Sequence, residues 1–367
     1  MRIATLQFSP QLGDVEANIR RADQLLKLTT SNASDEPGIV ELQPDILVLP
    51  EMAFSGYNFP SLQAIKPYLE IQNEGPSAEW AKRTALRLKC KVCVGYPEVF
   101  REKSTSEDDS IKSETYYNSL LVVDEMGQFL HNYRKRFLYF TDMSWASEGQ
   151  PEWSFKSLEF NTSSTRDSHG YKLDVPTTFG ICMDINPYKF EAPFTAFEFA
   201  NRVLDSQSHM VVIPTAFLVN DATTITAVPE KLPHMETFNY WLQRFWPLIE
   251  KKIDYSTQLE EFSTPTENKI ILVFANRSGV EEGKEPVPTA TYAGTSCILT
   301  IKQTIRSDGI TKWNDETRSS FDVKIDCWDI KGAREEGICF ADTRAEPKMT
   351  FVTKPRSEND SDENAAE

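Results

Sequence analysis

The chain contains 367 residues, of which 40% are hydrophobic and 26% are charged. These proportions are typical of a globular protein that is large enough to bury a core without disulfides or metals. No uninterrupted apolar stretch approaches the roughly 18 residues of a membrane-spanning helix, so we expect no membrane association. Acidic residues outnumber basic ones by 55 to 39, and the net charge of −16 argues against a protein that grips nucleic-acid phosphates.

Short apolar runs alternate with helical patterns from the N-terminus onward. An amphipathic pattern with Asp14 as its N-cap predicts the first helix, and Pro76 is suited to open the second. The nearly all-apolar stretch 45–49 predicts a strand that is buried on both faces. The predicted strands are 3–8, 45–49, 92–95, 117–124, 129–133, 177–181, 210–213, 270–275 and 296–301, and the predicted helices are 14–26, 76–88, 194–204 and 235–250.

This alternation predicts one α/β domain over residues 1–354, with mixed sheets covered by helices. Three polar stretches near 101–115, 161–172 and 253–268 are poor in apolar residues and are predicted to be surface insertions. The acidic segment 355–367 is predicted to be a disordered tail. The sequence does not indicate the oligomeric state.

Six scattered cysteines predict reduced thiols and a cytoplasmic location, and nothing in the sequence separates the cytoplasm from the nucleus. Cys90 and Cys93 form a C-x-x-C pair, but no second pair or histidine ladder accompanies it. We therefore predict no metal site, and we interpret Cys93 as a small core residue on a strand.

Three chemically capable side chains follow predicted strands, where active residues of α/β proteins are often found. Glu51 comes directly after a buried strand, so partial desolvation would raise its pKa and make it a usable base. Lys135 lies within three consecutive basic residues, and its ammonium group could stabilise a thiolate or an oxyanion. Cys182 enters a turn after an apolar strand, as a thiol nucleophile would.

Each of these residues also has a simpler interpretation. Glu51 could be a solvated loop carboxylate, Lys135 part of a solvated basic turn, and Cys182 an inert buried thiol. Considered one at a time, these structural interpretations are the more common ones for such residues.

Considered together, Glu51, Lys135 and Cys182 resemble the catalytic triad of the nitrilase (carbon–nitrogen hydrolase) superfamily, and the resemblance extends over roughly residues 2–302. The blocks that carry it are Pro50-Glu51 followed by Gly56-Tyr57, Tyr133-Arg134-Lys135 followed by Gly149, 179–184 (FGICMD), 213–216 (IPTA), 275–279 (ANRSG) and 293–296 (AGTS).

The resemblance implies a four-layer αββα sandwich and an amide-hydrolysing enzyme that needs no metal or organic cofactor. It implies that Cys182 is the nucleophile, Glu51 the general base and Lys135 the group that stabilises the oxyanion or thiolate. The backbone N–H of Met183 is the expected second oxyanion donor. Asp142 lies where many members of the superfamily carry a second glutamate, so a supporting role is expected for this shorter carboxylate.

The segment Asn186-Pro-Tyr-Lys-Phe190 departs from the Arg-Phe-Pro pattern of many relatives. It resembles the fungal-type N-terminal amidases, a branch of this superfamily. That resemblance implies deamidation of N-terminal Asn and Gln in proteins or peptides, with release of ammonia through a Cys thioester, as a step in N-degron processing and ubiquitin-dependent degradation. It leaves the preference between Asn and Gln open.

A substrate of this kind carries a free α-ammonium group, which calls for a carboxylate in the pocket. Asp184 and Glu191 are the candidates because they flank the nucleophile in sequence, although either could instead accept backbone N–H groups. Two other functions remain open at this point. One is a small-molecule amidase, nitrilase or N-carbamoyl hydrolase of the same superfamily, and the other is a non-catalytic binding protein on the same fold.

Overall fold

Two mixed β-sheets face each other in the computed structural model of the chain. The structure describes residues 1–28, 37–103, 111–162, 171–255, 259, 262–264, 266–305 and 321–352. The strands are β1 (Arg2–Gln7), β2 (Ile46–Val48), β3 (Glu70–Ile71), β4 (Lys91–Lys103), β5 (Ile111–Val123), β6 (Phe129–Arg134), β7 (Phe155–Thr162), β8 (Tyr171–Phe179), β9 (Met210–Thr215), β10 (Ser263–Thr264), β11 (Glu267–Asn276), β12 (Val280–Glu281), β13 (Ala290–Thr291), β14 (Cys297–Ile305), β15 (Phe321–Ile330), β16 (Gly337–Asp342) and β17 (Met349–Val352).

Helices flank these sheets. The α-helices are α1 (Val15–Leu25), α2 (Ile39–Leu42), α3 (Leu62–Ile65), α4 (Pro76–Leu88), α5 (Phe140–Met143), α6 (Glu198–Asp205), α7 (Ala222–Ala227), α8 (Met235–Arg244) and α9 (Trp246–Glu250). Short 3₁₀ helices cover Lys66–Tyr68, Pro151–Ser154, Cys182–Ile185, Tyr188–Phe190 and Phe194–Ala196.

The first sheet has the strand order β16-β1-β2-β4-β5-β6, with β3 beside β4. Strands β1, β2 and β4 run parallel to one another, whereas β5, β6 and β16 join by antiparallel pairing. The second sheet has the order β17-β15-β14-β11-β9-β8-β7, with β10 beside β11. Its parallel centre is formed by β8, β9 and β11. A separate hairpin pairs β12 with β13.

Side chains from the inner faces of both sheets form one shared core. Ile3 and Val48 of the first sheet belong to the same buried cluster as Val212 and Val273 of the second. The outer face of the first sheet packs on α1 and α4, and the outer face of the second packs on α6, α8 and α9. This four-layer arrangement confirms the predicted αββα sandwich.

Local sequence signals explain where several elements begin and end. Asp14 caps α1 as predicted, because its carboxylate accepts a hydrogen bond of 3.1 Å from the Ala17 N–H. The predicted helix 194–204 is broken at Phe197, whose φ of +45° is left-handed. The predicted helix 235–250 is divided at Phe245, and Pro247 lies in the first turn of the second part, where a missing N–H is tolerated.

The three predicted insertions are shorter than their polar composition indicated. Strand β4 continues to Lys103 and β5 already begins at Ile111, so part of the stretch 101–115 is a strand pair. Likewise β7 and β8 extend into 161–172, and β11 begins within 253–268. Polar residues are compatible with these strands because one face is exposed to water there. Residues 104–110, 163–170, 256–258, 260–261 and 265 of these stretches, and the predicted tail at 355–367, lie outside the described residues.

The last described strands were not predicted at all. Strand β16 pairs antiparallel with β1, from Arg2 opposite Asp342 to Gln7 opposite Gly337. It therefore completes the first sheet with a segment from far along the chain, while β15 and β17 extend the second sheet.

Cys90 and Cys93 are both buried, and Cys93 belongs to the core between the sheets. Among the described residues there is no group of His, Cys, Asp and Glu side chains that could hold a metal ion. No helix within the described ranges has the length and apolarity needed to cross a membrane.

The outer helical layer predicts a strong dependence of stability on Trp241. This side chain is 1% exposed and stacks on Phe274 of β11, with ring centroids 4.5 Å apart and ring planes 1° from parallel. We expect Trp241→Ala to lower the free energy of unfolding by about 3–5 kcal/mol, measured by urea denaturation. Trp153→Ala is the control, because Trp153 is 55% exposed. It should change the free energy of unfolding by less than about 1 kcal/mol. Equal effects of the two substitutions would contradict this account of the helical layer.

Candidate active site

Three loops from two different sheets meet at one end of the sandwich. Glu51 follows β2, Lys135 follows β6 and Cys182 follows β8. The first two strands belong to the first sheet and the third to the second. The structure therefore brings together side chains that are separated by up to 131 positions along the chain.

Cys182 is the first residue of a 3₁₀ helix, at the sharp bend that follows β8. Its φ of +44° is in the left-handed region, which is unfavourable for a side chain with a Cβ. This bend directs the thiol toward a cavity, and the residue is 8% exposed. Strained backbone of this kind is common at sites where a nucleophile must be presented from a strand end.

The Lys135 ammonium group lies between two carboxylates and is completely buried. Its Nζ donates to Glu51 Oε1 at 2.7 Å and to Asp142 Oδ2 at 2.6 Å. An ammonium group has three N–H donors, so these bonds leave one proton available to another acceptor. The ring of Tyr57 lies 5.5 Å from Nζ, and the Tyr57 hydroxyl donates to Asp142 at 3.3 Å.

Two further groups fix the Glu51 carboxylate. Asn118 Nδ2 donates to Glu51 Oε1 at 2.7 Å and to Asp142 Oδ1 at 3.0 Å. The Ala216 N–H, just after β9, donates to Glu51 Oε2 at 2.7 Å. Sequence reasoning missed Asn118 and Ala216, because one lies inside a predicted strand and the other acts through its backbone.

Close backbone approaches explain two glycines near the site. A Cβ at Gly95 would lie 2.6 Å from the Pro50 carbonyl oxygen and 2.8 Å from Glu51 Cα. A Cβ at Gly149 would lie 2.1 Å from the Arg134 carbonyl oxygen. The segments that carry Glu51 and Lys135 are therefore packed against positions where only glycine fits.

Burial sets the protonation behaviour of this cluster. Burial raises the pKa of Glu51 above its ordinary value of 4.5, against the opposing attraction of Lys135. Burial also raises the pKa of Cys182, and the nearby Glu51 adds to this effect, whereas Lys135 lowers it. Burial lowers the pKa of Lys135, but the attraction of the Asp142 and Glu51 carboxylates raises it by more. The pKa is therefore above its ordinary value, and the ammonium group stays charged.

Asp142 lies within this cluster at the third position of α5. Its Oδ2 also accepts a hydrogen bond of 3.0 Å from the N–H of Tyr139, the residue just before the helix. The shorter carboxylate thus reaches Lys135 directly from a helical turn. Glu148, six residues later, instead accepts a hydrogen bond from the Tyr188 hydroxyl and makes no contact with the cluster in the described structure.

Asp184 was a candidate for binding the substrate's α-ammonium group, but its carboxylate is already occupied by hydrogen bonds from the protein. Its Oδ1 accepts hydrogen bonds from the N–H groups of Arg136 and Phe137, at 3.1 and 2.8 Å. Its Oδ2 accepts from the Ile181 N–H at 2.8 Å and from the Tyr133 hydroxyl at 2.7 Å. These four bonds occupy the carboxylate and join the lysine and cysteine loops, so the geometry gives Asp184 a structural function.

Glu191 also lies away from the cavity lining. It is exposed in the loop after the 3₁₀ helix Tyr188–Phe190. Sequence proximity to Cys182 was a poor guide here, because the chain turns away from the cavity after residue 190.

The cavity above Cys182 has a volume of about 410 Å³. Met183 lines it, and no described residue accepts a hydrogen bond from the Met183 N–H. The wall opposite is formed largely by the segment after β9 and by α8. The described lining residues are Tyr57, Tyr139, Cys182, Met183, Asn186, Phe190, Ala216, Phe217, Leu218, Val219, Asn220, Asp221, Thr224, His234, Glu236, Thr237 and Tyr240.

Arg134 and Arg136 have no part in this cavity. Arg134 pairs with the buried Glu98 and stacks 4.0 Å above the Tyr117 ring. Arg136 lies against Phe137. Of the three consecutive basic residues, only Lys135 enters the site.

Residues 2–185 match the model of the carbon–nitrogen hydrolase family. The chain belongs to the carbon–nitrogen hydrolase family. A protein N-terminal amidase of Schizosaccharomyces pombe is 31% identical over 316 residues, which cover 83% of this chain and 92% of that protein. A protein N-terminal amidase of Saccharomyces cerevisiae is 36% identical over 231 residues, which cover 62% of this chain and 46% of that protein.

A crystal structure of an N-terminal amidase superposes with a TM-score of 0.68 at 23% identity and covers 96% of this chain and 98% of that one. This likeness supports the carbon–nitrogen hydrolase fold. Crystal structures of an N-terminal amidase with a Gln-Val peptide and with an Asn-Glu peptide also superpose with a TM-score of 0.68, at 24% identity. The match to the Saccharomyces cerevisiae relative spans less than half of that protein's length.

The raised pKa of Glu51 predicts an acid limit for carbon–nitrogen hydrolysis at this site. If Glu51 must be ionised to accept a proton, kcat/KM for amide hydrolysis should fall as the pH drops through its raised pKa, at a pH above 4.5. Lys135 stays protonated because its pKa is raised, so it should cause no alkaline fall. The measurement is kcat/KM from pH 4 to 9 at constant ionic strength, with circular dichroism to check folding. A kcat/KM that stays constant down to pH 4.5 would contradict the assignment.

Proposed function

We propose that the protein is an amidohydrolase that deamidates Asn and Gln at the N-termini of proteins or peptides. The observation that carries this proposal is the buried Glu51–Lys135 ion pair near Cys182, which lines the cavity, in a chain that aligns with 92% of the Schizosaccharomyces pombe N-terminal amidase. The products are N-terminal Asp or Glu and ammonia. A cavity of about 410 Å³ suits one amino-acid residue and the beginning of the next.

The reaction begins with attack of Cys182 Sγ on the carboxamide carbon of the substrate side chain. Glu51 accepts the thiol proton and passes it to the departing nitrogen, so that ammonia leaves and a thioester remains. Glu51 then removes a proton from water, which attacks the thioester. The C–S bond of the thioester then breaks, Glu51 returns the proton to Cys182 Sγ, and the acid product leaves with the thiol restored.

Lys135 and the backbone near Cys182 stabilise the charge that develops on the carbonyl oxygen. The third N–H of Lys135 is not used by Glu51 or Asp142, and the Met183 N–H is available beside the nucleophile. Both donors are fixed before the substrate arrives, which is what makes an oxyanion site effective. Asp142 contributes by holding Lys135 in place.

Carboxylates at the cavity mouth suit the substrate's α-ammonium group. Asp221 and Glu236 line the cavity, in contrast to Asp184 and Glu191. The Thr223 N–H donates to Asp221 at 2.9 Å and lowers the pKa of this carboxyl, so Asp221 is ionised at neutral pH. Glu236 projects from the first turn of α8 and is largely exposed.

The six cysteines are all unpaired thiols. This observation supports the cytoplasm as the place where the enzyme acts, since reducing compartments keep thiols free. Deamidated N-termini would then be presented to the machinery that reads N-degrons and directs ubiquitin-dependent degradation.

The decisive experiment is mass spectrometry of Asn- and Gln-initiated peptides after incubation with the protein. Deamidation replaces an NH₂ group by OH, so the wild type should add about 1 Da to each peptide. Cys182→Ala should abolish the gain because it removes the nucleophile, whereas Cys93→Ala, in the core, should retain it if the protein folds. Wild-type protein that releases ammonia from free asparagine or simple nitriles but leaves these peptides unchanged would overturn the proposal.

Ammonium recognition is tested with Asp221→Asn and Glu236→Gln. Each should raise KM for an Asn-initiated peptide by about tenfold, since a charge-assisted hydrogen bond is lost, and the Asn at 221 still caps α7. Glu191→Gln is the matched control, because Glu191 does not line the cavity, and should leave KM unchanged. The N-acetylated peptide should not be deamidated. Equal hydrolysis of free and acetylated peptides would contradict recognition of the ammonium group.

A further inference from the structure

Asn186 is a buried polar side chain that the reaction described above does not use. It lies four residues after Cys182, at the start of the segment that departs from the Arg-Phe-Pro pattern of many relatives. It is 5% exposed and lines the same cavity as Cys182 and Met183. A buried amide at a cavity wall needs hydrogen-bond partners for both its oxygen and its NH₂ group.

The amide oxygen of Asn186 already has its partner. The Tyr240 hydroxyl on α8 donates to Oδ1 at 2.5 Å, and the backbone N–H of Asn186 donates to the Met183 carbonyl at 2.9 Å. No residue in the described ranges accepts a hydrogen bond from Nδ2. Because Tyr240 holds the amide oxygen, the NH₂ group is the part of the Asn186 side chain that can donate a hydrogen bond to a ligand.

The support around this amide is rigid. Arg244 lies one turn after Tyr240 and donates from Nε to the Ile185 carbonyl at 2.7 Å, so α8 is tied to the residue directly before Asn186. The Tyr240 ring packs against Phe217 and Phe194, with centroids 5.8 and 6.1 Å away. Because its neighbours are fixed, the Nδ2 donor is pre-organised before any ligand binds.

The chemistry of the proposed substrate leaves one suitable partner for this donor. The α-ammonium group has no acceptor, and the oxygen of the reacting carboxamide belongs at Lys135 and the Met183 N–H. The remaining acceptor is the main-chain carbonyl oxygen of the first residue. We infer that Asn186 Nδ2 donates a hydrogen bond to that carbonyl and thereby distinguishes a peptide N-terminus from a simple aminoamide.

This inference rests on the proposed function and adds a positioning contact to it. The contact forms equally in the bound substrate and in the transition state, because the main-chain carbonyl takes no part in the reaction. Its loss should therefore appear mainly in KM, with kcat little changed.

The test compares two substrates in wild type, Asn186→Leu and Tyr240→Phe. One substrate is an Asn-Val-Ala peptide, and the other is 3-aminopropanamide, which has the ammonium and carboxamide groups of Asn but no main-chain carbonyl. Asn186→Leu preserves side-chain size, removes the donor and should raise KM for the peptide about tenfold. Tyr240→Phe should raise it to a smaller degree, because the amide keeps its donor but loses its fixed orientation.

3-Aminopropanamide serves as the internal control in the same proteins. Its KM should change less than about twofold in both variants, because it cannot form the contact. Where its turnover is too slow, its Ki as a competitor of the peptide is measured instead, with the same expectation. Equal losses for peptide and aminoamide would show that Asn186 only supports the loop, and an unchanged KM for the peptide would show that the contact does not exist. Either result overturns the inference. Failure of the wild type to deamidate the peptide at all would instead overturn the proposed function.

Discussion

A lysine ammonium group held between two buried carboxylates is the constraint on which the rest of this site depends. Lys135, Glu51 and Asp142 are all completely buried, and charges removed from water must be paired and hydrogen-bonded to be tolerated. The Lys135 ammonium group stabilises both carboxylates, and both keep it charged, whereas the two carboxylates repel each other, so that Asp142 helps to raise the pKa of Glu51. The loop after β2, the loop after β6 and the helical turn α5 are consequently held together by one set of hydrogen bonds.

The same network couples the two sheets. Glu51 comes from the first sheet, and its second oxygen accepts a hydrogen bond from the Ala216 N–H of the second sheet. Asp184 makes a similar link near Cys182, because it accepts N–H groups from both the cysteine and the lysine loops. The packing of Val48 and Val273 within one core fixes how far apart these loops lie. Reactive geometry is thus a product of sheet packing as well as of loop sequence.

Several residues illustrate how far sequence reasoning reached and where it failed. Strand and cap signals located α1, α4 and the central strands, since apolar periodicity and Asp14 or Pro76 act locally. Position after a strand, together with the family resemblance, identified Glu51, Lys135 and Cys182. The same reasoning placed Asp184 and Glu191 in the substrate pocket because they are near Cys182 in sequence, whereas the chain turns Asp184 toward backbone N–H groups and leaves Glu191 outside the cavity lining. Asp221 and Glu236 line the cavity from segments that carried no sequence signal for it.

By itself, the sequence indicated the αββα class, the family and the candidate reactive groups, because short-range patterns and motif order can be read directly from the residues. Tertiary structure alone decided that Asn118 and the Ala216 N–H fix the Glu51 carboxylate, which carboxylates line the cavity, and that β16 pairs with β1 at the edge of the first sheet. The physical reason is that hydrogen bonding and burial depend on distances in space. Those distances are set only when the two sheets pack against each other.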